Sequence, residues 1–263
     1  MAAKFVTRTI TQGSQSFLAR YFECAPSDIK IINNNTVSPA NNWSKYGTNA
    51  SFFDQQGVMS AIHVSNNQAV RDGGFTNCAK QGLASSAMDY MYYTTYNGGS
   101  PSVNIQAKAA SFAAPPVNSP LVYVWAVGGF DLLMGGAYNN EAELKTAINN
   151  HFGNSTMVDS YVPFYPFARQ RTAIGYKNGN VMFGGFVLSS NDTSGPTVFE
   201  MHKIMKGLGC SMALLLDGSG STQIKYKSSN GTNLAFIGDK RNVWCEISLT
   251  DTAANGCNWA ATT

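Results

Sequence analysis

Apolar positions alternate with polar ones in short runs along most of this chain, and they are seldom spaced as a helix would need. The stretch 17–32, FLARYFECAPSDIKII, alternates loosely and breaks at Ala25-Pro26, which predicts two strands joined by a turn. Residues 49–70 read as strand, turn at Gln56-Gly57, strand, and turn at Asn66-Asn67. LVYVWAVGGFDLLMGG (121–136) reads as a buried strand, a Gly-Gly break and a second short strand. Residues 210–217, CSMALLLD, form another buried strand, and 222–249 give three more around turns at Asn230-Gly231 and Gly238-Asp239. Residues 85–115, rich in Tyr, Ser, Ala and Gly, fit either an insertion or a short helix.

Only two segments carry a clear helical period. Asn140 can cap EAELKTAINNHF, with Leu144, Ile148, His151 and Phe152 on one face. Thr197 and Glu200 make a T-x-x-E capping box after Pro196, and Gly207 and Gly209 end that run. The sum is a strand-rich α+β fold, a mixed sheet with a few helices, in a single domain over 1–263. Residues 1–16 would be a flexible or edge segment.

Composition sharpens this picture. Of 263 residues, 44% are hydrophobic and only 13% charged, against roughly 25% in ordinary soluble domains, so short strands with polar loops are favoured over solvent-exposed helices. A net charge of +3 from scattered basic residues is too mild for a nucleic-acid duplex. No apolar run reaches the roughly 18 residues of a membrane span, and the first residues lack the apolar core of a signal peptide. The expected location is therefore the cytoplasm or a larger particle, with no membrane partner. Five widely spaced cysteines without a CxxC pair read as buried free thiols. The three histidines have no metal-ligand spacing and read as packed or surface residues, so neither metal nor other cofactor is expected.

Candidate chemistry gathers at LLLDGSGSTQ, 214–223. Asp217 closes an apolar strand and is followed by two glycines and three hydroxyls, more than a plain turn requires. Backbone N–H groups in such a turn can form an anion site, with Ser219, Ser221 and Thr222 adding hydroxyls and Asp217 serving as acid, base or orienting group. No Lys follows Gly220, which excludes a P-loop. Two further stretches stand out. Arg171 opens RTAIG, and guanidinium suits bidentate contact with phosphate. Asn49 opens NASFFD and could hydrogen-bond a sugar hydroxyl. In isolation each of these features is better read as a turn, a cap or a surface residue. Tyr90, Tyr92, Tyr93 and Tyr96 fit either a sugar cleft or a core.

In their order along the chain, NASFFD, RTAIG and TVFEMHKIMKGLGCSMALLLDGSGST resemble the phosphodiester glycosidase family, with GGFDLLMGG and GDKRNVWCEISL as supporting pieces. The resemblance spans about residues 17 to 250. It implies hydrolysis of the bond between a sugar anomeric carbon and the phosphate of a phosphodiester, the substrate being a small molecule or a glycan. It further implies one site containing Asn49, Arg171, Asp217 and, in the helix, Glu200 as catalytic candidates. Ser51, Phe52, Thr172, Gly218, Ser219, Gly220, Ser221, Thr222 and Arg241 would contact substrate. Ser51 and Ser219 stand where the family usually has glycine, so each narrows the cleft or adds a hydroxyl to it. The alternatives are a binding module that holds such a phosphodiester uncut, and a structural component of a larger particle.

Overall fold

A computed structural model of the protein describes residues 2–53, 59, 61–74, 88–96, 99–107, 112–134, 136–152, 167–237 and 242–262. Two sheets and a helical layer organise it. The large mixed sheet runs in the order β16 (Asn258–Thr262), β1 (Lys4–Gln12), β2 (Gln15–Cys24), β11 (Asn180–Leu188), β10 (Arg171–Lys177), β12 (Met212–Leu215), β9 (Leu121–Asp131), β5 (His63–Ser65) and β6 (Gln68–Ala69). A hairpin of β7 (Asp89–Tyr96) and β8 (Ser102–Gln106) also pairs with β9. The small sheet is β14 (Asn233–Ile237), β13 (Gln223–Lys227), β4 (Gly47–Asn49), β15 (Val243–Leu249) and β3 (Ile29–Ser38).

The period-2 pattern places the core on both faces of the large sheet. Phe22, Val181, Phe183, Ile174 and Leu214 face the small sheet and meet Ile31, Ile224 and Ile247. Their neighbours Phe17, Tyr21, Met182, Ala173 and Leu215 face the other way, towards the helices. There α1 (Glu141–Phe152) contributes Leu144 and Ile148, and α2 (Val198–Gly207) contributes Val198, Met201, Ile204 and Met205. A short α3 (Asp251–Asn255), capped by the Thr250 hydroxyl, leads into β16.

Both helix starts follow the sequence. Asn140 Oδ1 accepts from the Glu143 N–H at 3.0 Å. At α2 the Thr197 hydroxyl accepts from the Glu200 N–H while Glu200 Oε2 accepts from the Thr197 N–H, a complete capping box. Asn66 and Asn67 both have positive φ, as a tight hairpin turn demands.

Three expectations change. The Gly128-Gly129 pair does not break its strand, because β9 runs unbroken from Leu121 to Asp131. The segment around 85–115 supplies the β7–β8 hairpin, where Tyr90, Tyr92, Phe112 and Tyr123 pack together. The amino-terminal strand β1 is not an edge, because the carboxy-terminal β16 pairs in parallel outside it. Cys24, Cys210, Cys245 and Cys257 are buried free thiols, and Cys78 lies outside the described residues.

Candidate active site

Strand β12 ends at Leu215, but its ladder with β10 continues. Ala173 is opposite Leu215, and the Leu216 N–H donates to the Thr172 carbonyl at 2.9 Å. The next backbone link is from the Ser219 N–H to the Gln170 carbonyl at 2.8 Å, so Asp217 and Gly218 lie beside Arg171, between the two bonds. The sheet therefore juxtaposes the basic and acidic candidates although 46 positions separate them in the chain.

Arg171 is only 3% exposed. Its Nε donates to the Pro196 carbonyl at 3.1 Å and its Nη2 to the Phe167 carbonyl at 2.8 Å, which fixes the guanidinium plane. Burial, with Arg169 nearby, lowers its pKa to about 10, so it stays charged at neutral pH. The Pro196 contact ties Arg171 to the start of α2, where Glu200 spends one carboxylate oxygen on the cap.

The loop after Asp217 is pinned to β10. The Ser219 N–H donates to the Gln170 carbonyl at 2.8 Å, and the Ser221 and Thr222 N–H groups close a 3-10 turn onto Gly218 and Ser219. A Cβ at Gly218 would stand 2.8 Å from the Gln170 carbonyl oxygen and 3.7 Å from Arg171 Cδ, so the glycine lets the loop ride on the arginine stem. Ser219 has φ 55°, a conformation that favours glycine.

Behind the loop sits Asn49, fully buried. Its Oδ1 accepts from the Thr172 hydroxyl (2.8 Å) and the Gln223 N–H (3.0 Å). Its Nδ2 donates to the carbonyls of Asp217 (2.7 Å) and Ala50 (3.1 Å). Thr172 and Thr222, also fully buried, bring their hydroxyls within 3.3 Å of each other. Asn49, Thr172 and Thr222 thus form the scaffold that holds the Asp217 backbone from the inter-sheet side.

The residues after β4 follow Asn49 directly in the chain. The Ser51 N–H donates to His63 Nε2 at 3.1 Å, so that nitrogen is unprotonated and Nδ1 donates to the Ala61 carbonyl at 2.8 Å. Complete burial pushes His63 down to about 4, and it is neutral at physiological pH. Phe52 stacks edge-on against Phe130, ring centroids 5.8 Å apart. The hydroxyls of Ser51 and Ser221 are buried and have no hydrogen-bond partner among the described residues. Buried polar groups are normally paired, so these two are marked as groups that await a ligand or water.

Strand β9 holds the glycine pair. On one edge β9 pairs with β12 at Phe130–Asp131 and with β5 at Trp125–Val127, and these two strands part at Gly128-Gly129. A Cβ at Gly129 would meet the Leu215 carbonyl oxygen at 2.4 Å, so only glycine permits this approach. Sequence reasoning missed His63 and Gln223, and nothing in their local sequence marks them. Arg241 lies outside the described residues.

Comparison with known proteins decides the family. The model described as phosphodiester glycosidase matches residues 44–245, well over half of the chain. The chain belongs to that family. Its fold is similar to the zebrafish N-acetylglucosamine-1-phosphodiester alpha-N-acetylglucosaminidase catalytic domain, described as auto-inhibited by its pro-peptide. That match has 16% identity and a TM-score of 0.56, over 95% of this chain and 83% of the other. A hypothetical protein from Synechocystis is similar at 13% identity and a TM-score of 0.54, over 94% of this chain and 62% of that one. Among proteins of curated function none matches the sequence. At these identities the solved structures speak for the fold alone, and they agree with the strand-rich α+β architecture read from the sequence.

Proposed function

We propose that the protein hydrolyses the bond between a sugar anomeric carbon and a phosphate within a phosphodiester. The observation that supports this reading is that Asp217 and its glycine-rich loop lie beside Arg171, between the Leu216–Thr172 and Ser219–Gln170 backbone bonds, in a chain of this family.

The residue types suit the reaction. A phosphate monoester leaves readily, so the demand on a general acid is small and the demand for positive charge on the departing phosphate is large. Arg171 supplies that charge from a fixed, desolvated position. The Ser219 and Ser221 hydroxyls add donors for the phosphate, the N–H groups of these two residues being spent on Gln170 and Gly218. Asp217 takes the proton of the attacking water, whose oxygen bonds to the anomeric carbon as the carbon–oxygen bond to phosphate breaks. The alternative duty for the same carboxylate, left ionised, is to steady the positive charge that develops on the sugar. Glu200 is the second choice for this role, because its capping bond already occupies one oxygen. Asn49 acts by holding the Asp217 carbonyl rather than by touching the reacting atoms. Ser51, where the family usually has glycine, and Phe52 face the sugar.

UDP-N-acetylglucosamine is the probe of choice, with free sugar and UDP followed together. Release by the wild type is expected, reduced about 10²–10⁴-fold in Asp217→Asn and about 10²–10³-fold in Arg171→Ala. Retained kcat in Asp217→Asn would remove Asp217 from the chemistry. Saturable binding that Arg171→Ala abolishes, with no sugar released by the wild type, would make the protein a binding module.

A further inference from the structure

On the small sheet, Glu246 of β15 is opposite Asn49 of β4 on one side and Ile32 of β3 on the other. Two residues on, Ser248 is opposite Gly47 and Lys30. Both are completely buried. The Ser248 hydroxyl lies within hydrogen-bonding reach of the Glu246 carboxyl, and neither group has any other partner among the described residues. An ionised carboxylate left in that state would cost several kcal/mol, so the arrangement suits a neutral acid.

The segment 39–46 crosses the same face and leads directly into β4. The Ala40 N–H donates to Gln223 Oε1 at 2.8 Å, and the Lys225 ammonium donates to the Trp43 carbonyl. Trp43 and Ala40 are buried with Val243, and Lys45 pairs with Asp251 at 2.6 Å. The cations that face Glu246 are thus Lys225 on β13 and Lys45 ahead of β4, with Lys30 of β3 opposite Ser248.

We propose that Glu246, in its protonated form, is a positioning residue for the site: it keeps the 39–46 segment closed over β4 and, through Asn49, fixes the Asp217 loop. The inference rests on the reading above only in taking that loop as the site. On ionisation the carboxylate needs a partner, and Lys225 is the cation within its reach whose present bond is to a neutral carbonyl. When Lys225 turns to Glu246, the Trp43 carbonyl loses its donor and the segment loosens from β13. Burial pushes the Glu246 carboxyl up to about 7, which sets this exchange near neutrality.

Hydrogen exchange of the ligand-free protein, read by mass spectrometry at pH 6 and pH 8.5 and corrected for intrinsic rates, tests this. Protection of 39–49 and of 216–222 is expected to fall at least about tenfold at the higher pH, since each pH unit above the midpoint changes the ionised fraction ratio about tenfold. Glu246→Gln should keep full protection at both pH values, and Lys225→Met should loosen 39–46 at both. Unchanged protection in the wild type, or the same pH dependence in Glu246→Gln, overturns the proposal. Because no substrate is present, failure of sugar release would leave this result standing on its own.

Discussion

Ser219 shows most directly what a single residue contributes to this site. A left-handed conformation costs an L-residue on the order of 1–2 kcal/mol, and here the turn imposes it, because the Ser219 N–H is tied to Gln170 and its carbonyl to Thr222. Ser219→Gly, which restores the residue usual in the family, should therefore stabilise the protein by about 1 kcal/mol in urea unfolding, somewhat offset by the greater freedom of glycine in the unfolded chain. No gain would mean that the serine hydroxyl compensates the strain. The sequence marked this position as a departure from the family pattern, but not its conformation, since φ is set by bonds to β10 some 49 positions earlier. Asn49 teaches the same lesson. NASFFD fitted a cap, a turn or a sugar contact, whereas its amide is spent on Thr172, Gln223 and Asp217, partners 123 to 174 positions away.

Among the elements, β9 carries the site's geometry. Its glycine pair reads as a strand break because glycine weakens strands, yet here it allows the Leu215 carbonyl to approach the backbone closely. Gly129→Ala must push against the Leu215 carbonyl, a backbone atom that cannot rotate away. The expected cost is about 1–3 kcal/mol in stability. The change should also shift amide chemical shifts across 214–218, whereas changes confined to β9 would show that the strand pair absorbs a methyl group. By contrast, the helix starts were legible in full, because a cap is a matter of residues three apart.

For the whole molecule, two buried groups pull stability in opposite directions with pH. His63 sits at about 4 in the fold against 6.5 for the free side chain, so its contribution is complete above 6.5 and is lost as pH falls towards 4. Glu246 sits at about 7 against 4.5, so its contribution is complete below 4.5 and is lost as pH rises to about 7. Between 4.5 and 6.5 the two slopes oppose each other. The stability difference between Glu246→Gln and the wild type should then grow from pH 4.5 to 7 by roughly 3 kcal/mol and stay level above that. Urea denaturation across this range measures it directly, and a constant difference would show that Glu246 ionises normally in the fold.

By itself the sequence determined many of the strands, both long helices with their starts, the mixed α+β class and the resemblance to the family, because alternation, caps, turns and ordered motifs are all local patterns. It also named Arg171 and Asp217. The tertiary structure alone decided that the chain brings these two side by side, that the Asn49 amide bonds Thr172, Gln223 and Asp217, and that Glu246 lies opposite Asn49 on the neighbouring strand. Each of those facts is a matter of register between strands far apart in the chain, and register is fixed only when the whole sheet closes on its core.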